Sequence, residues 1–178
     1  MPIHLSVLMA YELREAKCTV MLKDEEERLM PDLYEIASAL RDAIEEAVRA
    51  GEIREMMSFP AGCCGYTADI LQRYLFEQGI ITYYMSGRYG HGDSPENHAW
   101  IETKDGVVID ITGDQYKYMA PWFTESVYVG PRENGFHDKF ELDEPVPYRK
   151  PEGRSASDRK SDARYEAVLT HMRNIHTV

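Results

Sequence analysis

The segment that decides the fold is His98-Ala99-Trp100-Ile101-Glu102-Thr103-Lys104-Asp105-Gly106-Val107-Val108-Ile109-Asp110-Ile111-Thr112. Two short runs rich in β-branched residues flank a polar loop, a pattern that predicts a β-hairpin. A three-residue loop prefers glycine at its last, left-handed position, which Gly106 occupies. Thr103 then pairs with Val107, and this register determines which side chains share a face.

The register separates apolar side chains from polar ones. One face carries Ala99, Ile101, Val107, Ile109 and Ile111, and the other carries His98, Trp100, Glu102, Val108 and Asp110. A two-residue turn at Asp105-Gly106 would shift the pairing by one residue and mix the two sets. In the selected register His98 and Asp110 are diagonal neighbours on one face, about 7–8 Å apart between backbones, so an imidazole and a carboxylate can meet.

A candidate nucleophile precedes the hairpin, in Phe59-Pro60-Ala61-Gly62-Cys63-Cys64-Gly65. We expect a helix from about Cys64 to Gln78, which puts a cysteine in its first turn. The unpaired N–H groups there favour a thiolate and lower its pKa. Cys64 is the expected nucleophile because Gly65 follows it where the helix begins, and Cys63 is the alternative. A buried structural cysteine is the competing interpretation.

These residues predict a Cys–His–Asp triad. Cys64 would attack a carbonyl carbon, and His98 would take the thiol proton and return it to the leaving group. Asp110 would hold the histidine tautomer and stabilise the imidazolium. Asp114 competes for this orienting role, but the hairpin register favours Asp110.

The triad pattern resembles the transglutaminase-like branch of the papain-like thiol enzymes. The matching residues are Cys64, His98-Ala99-Trp100-Ile101-Glu102 and Asp110-Ile111-Thr112, and the likeness covers about Phe59 to Tyr116. It implies an α+β fold in which N-terminal helices, including the catalytic-cysteine helix, pack on a small antiparallel sheet. It also implies a thioester-forming peptidase, amidase, deamidase or acyltransferase, similar to small bacterial proteins of that group with no assigned substrate.

The chain departs from this family in the oxyanion hole. Many papain-like proteases place a glutamine before the cysteine, whereas the first glutamine here is Gln72. The backbone N–H of Cys64 and a second, unidentified group would have to serve. We expect Trp100, Gln115 and Tyr66 to contact substrate. No cofactor or metal is expected, because a zinc site built from Cys63, Cys64, His91 and His98 lacks the Cys-x-x-Cys spacing.

The rest of the chain predicts one domain over 1–148, a linker over 149–160 and an amphipathic helix over 161–178. Ile3–Leu22 is ambiguous between strand and helix. A helix should follow Pro31 and end at Gly51, and Gly87–Asn97 reads as a loop. Short strands are predicted over Ile80–Met85, His98–Thr103, Val107–Ile111 and Ser126–Val129. The terminal helix could dock on the domain or bind a partner protein.

Composition limits the partners of this 178-residue chain. The formal net charge is −11, which disfavours nucleic acid and anionic membranes. The longest apolar runs are too short to span a bilayer, and no signal peptide is evident. The three cysteines do not suggest a disulfide framework, so a cytoplasmic location is expected. A protein or peptide amide is the expected substrate. A non-catalytic binding module of the same fold is the alternative function.

Overall fold

The computed structural model of the chain describes residues 32–90, 95–150 and 155–175. Leu33–Val178 form one compact unit, and the fold is described for that unit. The predictions for Ile3–Leu22 and His91 therefore lie outside the described residues. Among the described residues, no helix is both long enough and apolar enough to cross a membrane.

The described part of this unit combines α-helices with an antiparallel sheet. Its three α-helices span Leu33–Arg49 (α1), Cys64–Glu77 (α2) and Ala156–Ile175 (α3). Its strands span Thr82–Tyr89 (β1), Glu96–Thr103 (β2), Val107–Asp110 (β3), Tyr128–Pro131 (β4), Glu141–Leu142 (β5) and Val146–Pro147 (β6). The strand order is β4-β3-β2-β1-β5, with β6 also pairing with β1. This confirms the α+β class.

The hairpin of β2 and β3 has the predicted register. Ile101 pairs with Ile109 and Glu102 with Val108, as the loop ending in Gly106 requires. Gly106 has a φ of +81°, a left-handed conformation that is costly for residues with a Cβ. The two faces also separate as predicted. The apolar face joins the main core, whereas Trp100 and Val108 belong to a second, aromatic cluster on the other face.

The predicted loop over Gly87–Asn97 is shorter than expected. Strand β1 continues to Tyr89 and β2 begins at Glu96, because main-chain pairing extends through Arg88 opposite Asn97 and Tyr89 opposite Glu96. Glycine and polar residues weaken a strand only locally, and a long antiparallel partner outweighs that preference. The effect is to carry β2 past His98, so the candidate histidine lies within a strand.

The C-terminal helix begins at Ala156, within the segment that the sequence predicts to be a linker. Its start is defined by a reciprocal cap: Ser155 Oγ accepts the Asp158 N–H at 2.9 Å, and the Asp158 carboxylate accepts the Ser155 N–H at 3.1 Å. Tyr165, Val168 and Met172 are buried in the main core. Of the two roles the sequence left open for this helix, the structure therefore shows docking on the domain.

Helix α1 is tied to the far end of the hairpin by a buried arginine. Arg41 donates to the carbonyl oxygens of Ile111 and Ser126, both at 2.7 Å. It also forms a bidentate pair with Asp114, with both N–O distances 2.9 Å. Both carboxylate oxygens of Asp114 are therefore engaged by α1.

Replacing Arg41 with Met should destabilise the fold by about 3 kcal/mol or more, because it leaves a carboxylate and two carbonyls without their donor. Urea unfolding followed by circular dichroism measures the change. Arg49→Met is the matched control on the same helix, where the arginine pairs with Glu46 at the surface. It should change the free energy of unfolding by no more than about 0.5 kcal/mol. Equal losses in both variants would contradict this account.

Candidate active site

The first residue of helix α2 is Cys64, as the sequence predicts. Gly62, at φ +68°, turns the chain into the helix, and its N–H donates to Gln115 Oε1 at 3.0 Å. The amide nitrogen Nε2 of Gln115 donates to the Thr112 carbonyl at 2.9 Å. Gln115 thus ties the loop before the cysteine to the end of the hairpin, and this clamp holds Cys64 beside β2.

The predicted His98–Asp110 contact is present and fully buried. His98 Nε2 donates to Asp110 Oδ2 at 2.7 Å. The other carboxylate oxygen accepts the Thr112 N–H at 2.8 Å and the Thr112 hydroxyl at 3.2 Å. Burial opposes ionisation of both partners, but their mutual attraction outweighs it. It lowers the pKa of Asp110 and, with help from Cys64, raises the pKa of His98 to about 9.

The Cys64 thiol lies next to the His98 ring. Burial by itself raises the pKa of this thiol, but His98 outweighs the effect with help from the Ala99 N–H, so the pKa of Cys64 is lowered. Because Nε2 of His98 is engaged by Asp110, Nδ1 is the nitrogen left for the thiol. Nδ1 of His98 is buried and has no hydrogen bond of normal geometry to a described residue. Each group thus shifts the pKa of the other in the direction that favours a thiolate beside an imidazolium.

Cys63, the alternative nucleophile, points elsewhere. It is 1% exposed, and its sulfur lies 3.4 Å from the Ala61 carbonyl and 3.9 Å from the Ser58 hydroxyl. Burial raises the pKa of this thiol. A buried cysteine with a raised pKa remains protonated and unreactive. The pKa values of the two neighbouring thiols are therefore shifted in opposite directions, up for Cys63 and down for Cys64.

A histidine that the sequence does not single out joins the site. His137 Nε2 donates to Asp110 Oδ2 at 3.0 Å, and both side chains are buried. Its other ring nitrogen, Nδ1, lies 2.8 Å from Asn134 Nδ2. The turn at Asn134-Gly135 indicates a loop here, but no spacing in the sequence connects that loop to Asp110. Only the pairing of β4 with β3 brings it close.

The predicted substrate contacts lie at different depths. Trp100 is 1% exposed and donates to Glu102 at 2.9 Å, so its indole supports His98 from within the protein. The amide of Gln115 is engaged at both ends within the clamp described above. Tyr66 is 40% exposed, with the Arg164 guanidinium 4.2 Å from its ring. Of the three side chains, Tyr66 is the most accessible to a ligand.

Aromatic rings surround His98 on the side away from the main core. Tyr116 packs edge-on at 4.9 Å between ring centroids, and Trp100, Phe136 and Phe140 lie within 5.7 Å. The Tyr116 hydroxyl donates to the Asn97 carbonyl, which closes the end of β2. These rings exclude water from the His98–Asp110 pair, which strengthens its electrostatic interaction.

An open cavity of about 410 Å³ runs along α2. Asp69, Gln72 and Arg73 line it from the helix, and Tyr84 lines it from β1. The Tyr84 hydroxyl lies 3.3 Å from the point where a Cβ on Gly65 would lie. Burial raises the pKa of Tyr84 to about 12, so the phenol remains a hydrogen-bond donor at neutral pH next to the start of α2.

The ligand atoms of His98, Asp110 and His137 lie within 4.8 Å of one another, close enough to suggest a metal site. The contacts of Asn134 argue for hydrogen bonding instead. Its Nδ2 donates to Nδ1 of His137, so the neutral ring carries its proton on Nε2. A protonated Nε2 is a donor to Asp110 and cannot bind a cation. The cluster is therefore arranged as a chain of hydrogen bonds.

Comparison of the chain with protein-family models, curated proteins and solved structures found no match. Function is therefore inferred from the chemistry of the site.

The Cys64 thiol should react faster with iodoacetamide at neutral pH than an ordinary thiol does. Because its pKa is lowered and that of His98 is raised to about 9, the ion pair forms below the pH at which a free cysteine ionises. The rate should reach its plateau at a lower pH than the alkylation rate of an ordinary thiol does. A Cys18→Ser background and mass spectrometry of the labelled peptide assign the reaction to one thiol.

Cys64→Ser in the same background is the matched control, since it leaves the buried Cys63 alone. It should abolish labelling at neutral pH. Labelling of Cys63 at the rate seen for the parent protein would show that the nucleophile has been assigned to the wrong neighbour.

Proposed function

We propose that this protein is a cysteine-dependent hydrolase or acyltransferase that acts on amide bonds, with Cys64, His98 and Asp110 as its triad. The observation that carries the proposal is one aligned set of groups: a thiol at a helix start, a histidine beside it, and a buried carboxylate 2.7 Å from the far side of that histidine. The resemblance to transglutaminase-like enzymes gives the same residues the same roles. The proposal includes that the helices and the antiparallel sheet form a papain-like core.

In the first half of the reaction, the Cys64 thiolate attacks the carbonyl carbon of the substrate. A sulfur–carbon bond forms, and the carbonyl electron pair moves onto oxygen. When this pair returns, the carbon–nitrogen bond breaks, and the His98 imidazolium gives its Nδ1 proton to the departing nitrogen. The products of this half are a thioester on Cys64, a neutral imidazole and a free amine or ammonia.

In the second half, water or an amine attacks the thioester carbon. His98 Nδ1 accepts the proton of the attacking group, the carbon–sulfur bond breaks, and the thiolate re-forms beside the imidazolium. Water as acceptor makes the protein a peptidase, amidase or deamidase, whereas an amine makes it an acyltransferase. Throughout, Asp110 keeps the proton on Nε2 of His98, which presents Nδ1 to the reaction.

The oxyanion that forms in each half needs donors close to the attacking sulfur. The first N–H groups of α2 have no carbonyl partner within the helix, so they are available to the oxygen. The Tyr84 hydroxyl, which lies next to Gly65 and remains protonated, is the side-chain donor best placed to join them. This supplies a candidate for the group that the missing upstream glutamine leaves open.

The cavity beside α2 is the proposed binding site for the portion of a peptide or protein next to the scissile amide. It begins at Tyr84, next to the nucleophile, and its walls carry both signs of charge through Asp69, Arg73, Arg149 and Asp158. A polar chain with its own hydrogen-bonding groups suits these walls better than a purely apolar ligand.

The test of this function is the capture of an acyl-enzyme. An activated ester such as p-nitrophenyl acetate has an easily expelled leaving group, so its acyl group should accumulate on Cys64 and appear in intact-protein mass spectra. His98→Gln should slow acylation by about a hundredfold or more, since it removes the base. Adding a primary amine or hydroxylamine and following loss of the adduct separates acyl transfer from hydrolysis.

The matched control is His171→Gln, which changes a histidine on α3 that contacts Glu52 near the surface. It should acylate at the rate of the parent protein. Acylation that continues unchanged in Cys64→Ser would overturn the proposed mechanism. A thiol that reacts with iodoacetamide but never accepts an acyl group would instead indicate a non-catalytic binding module.

A further inference from the structure

His137 is a buried histidine that the proposed triad does not use. It is completely buried, and its Nε2 contacts the same carboxylate oxygen of Asp110 that His98 contacts, at 3.0 Å against 2.7 Å. Trp100 packs edge-on against its ring at 5.0 Å, and Tyr128 stacks on it at 5.4 Å. A ring held this firmly is either a structural element or part of the catalytic machinery.

The contacts of Asn134 decide the protonation state of this ring. Asn134 Oδ1 accepts the backbone N–H groups of Phe136 and His137, both at 2.9 Å. This fixes the orientation of the amide, since only its oxygen can accept these bonds. Its nitrogen, which also points to the Pro131 carbonyl at 3.3 Å, must then donate to Nδ1 of His137. A ring that accepts at Nδ1 carries its single proton on Nε2, so it is neutral.

We infer that His137 is a positioning residue: Asn134 locks it as a neutral imidazole, and its Nε2–H holds the Asp110 carboxylate in place for His98. The inference rests on the proposed function, since only that function makes Asp110 a member of a catalytic triad. His137, which lies in the segment after β4, thus supports the triad through its hydrogen bond to Asp110.

Two physical effects follow from a neutral donor at this place. The bond satisfies a buried carboxylate without adding a positive charge that would oppose the His98 imidazolium, 6.1 Å away between ring centroids. It also draws electron density from Asp110 Oδ2, which disfavours transfer of the His98 proton to the carboxylate. Within the part of the chain that the structure describes, the titratable groups that face the two rings are Asp110, Cys64, Tyr116 and Tyr128.

The first test compares His137→Leu with His137→Gln in the Cys18→Ser background. Leucine removes the donor, whereas glutamine keeps an amide N–H near the position of Nε2. We expect the leucine variant to lose about ten- to a hundredfold in the rate of Cys64 alkylation at neutral pH, the range for a hydrogen bond to a charged group. The alkylation rate of the leucine variant should also begin to rise at a higher pH than that of the parent protein. The glutamine variant should recover most of the rate, which a purely structural role would not require.

The second test is Asn134→Asp, a nearly isosteric change. The carboxylate still accepts the two backbone N–H groups but can no longer donate to Nδ1, so His137 should take up a proton and become cationic. A positive charge closer to His98 than the new negative charge disfavours its imidazolium. The pKa of the Cys64 thiol, read from alkylation against pH, should rise by about one unit.

Nitrogen-15 NMR of the imidazole rings in the parent protein tests the inference without any variant. The spectra at neutral pH should show His137 with its proton on Nε2 and none on Nδ1. A proton on Nδ1 of His137 would overturn the inference. So would a folded His137→Leu variant with the alkylation profile of the parent. A Cys64 that never forms a thioester would remove the proposed function while leaving the measured tautomer intact.

Discussion

The buried carboxylate of Asp110 is the group on which the rest of the site depends. It accepts hydrogen bonds from the Thr112 N–H and hydroxyl on one oxygen and from His98 and His137 on the other. An ionised carboxylate away from water is very costly unless such donors surround it. The chain must therefore bring β2, the end of β3 and the segment after β4 to one point, and this requirement sets the geometry around the thiol.

The β2–β3 hairpin serves the core and the site at the same time. Its apolar face, with Ile101 and Ile109 paired, packs in the main core with residues of α1 and α2. Its other face carries His98 and Asp110 within a layer of aromatic rings. Because side chains alternate strictly along a strand, one register fixes both faces. Any slip that exposed the core would also separate the histidine from the carboxylate.

How much could be predicted differs from one residue to the next. The register, the His98–Asp110 contact and the position of Cys64 at a helix start follow from local patterns: alternation, a glycine at the end of a loop, and a Pro/Gly-rich turn before a helix. The length of β1 and the start of α3 were predicted less well. In those places tertiary pairing and capping outweighed a composition that suggests loops. The role of Gln115 as a clamp on the cysteine loop depends on a contact with Gly62 that no pattern encodes.

The sequence by itself determined the hairpin, the diagonal pair on one face and the thiol that precedes it, because each depends on residues close together in the chain. Only the tertiary structure decided which groups reach the pair from a distance. His137 meets Asp110 because β4 pairs with β3, and Arg41 claims Asp114 because α1 packs against the end of the hairpin. Such contacts join segments far apart in the chain, whose approach is set by packing of the whole domain rather than by local preference.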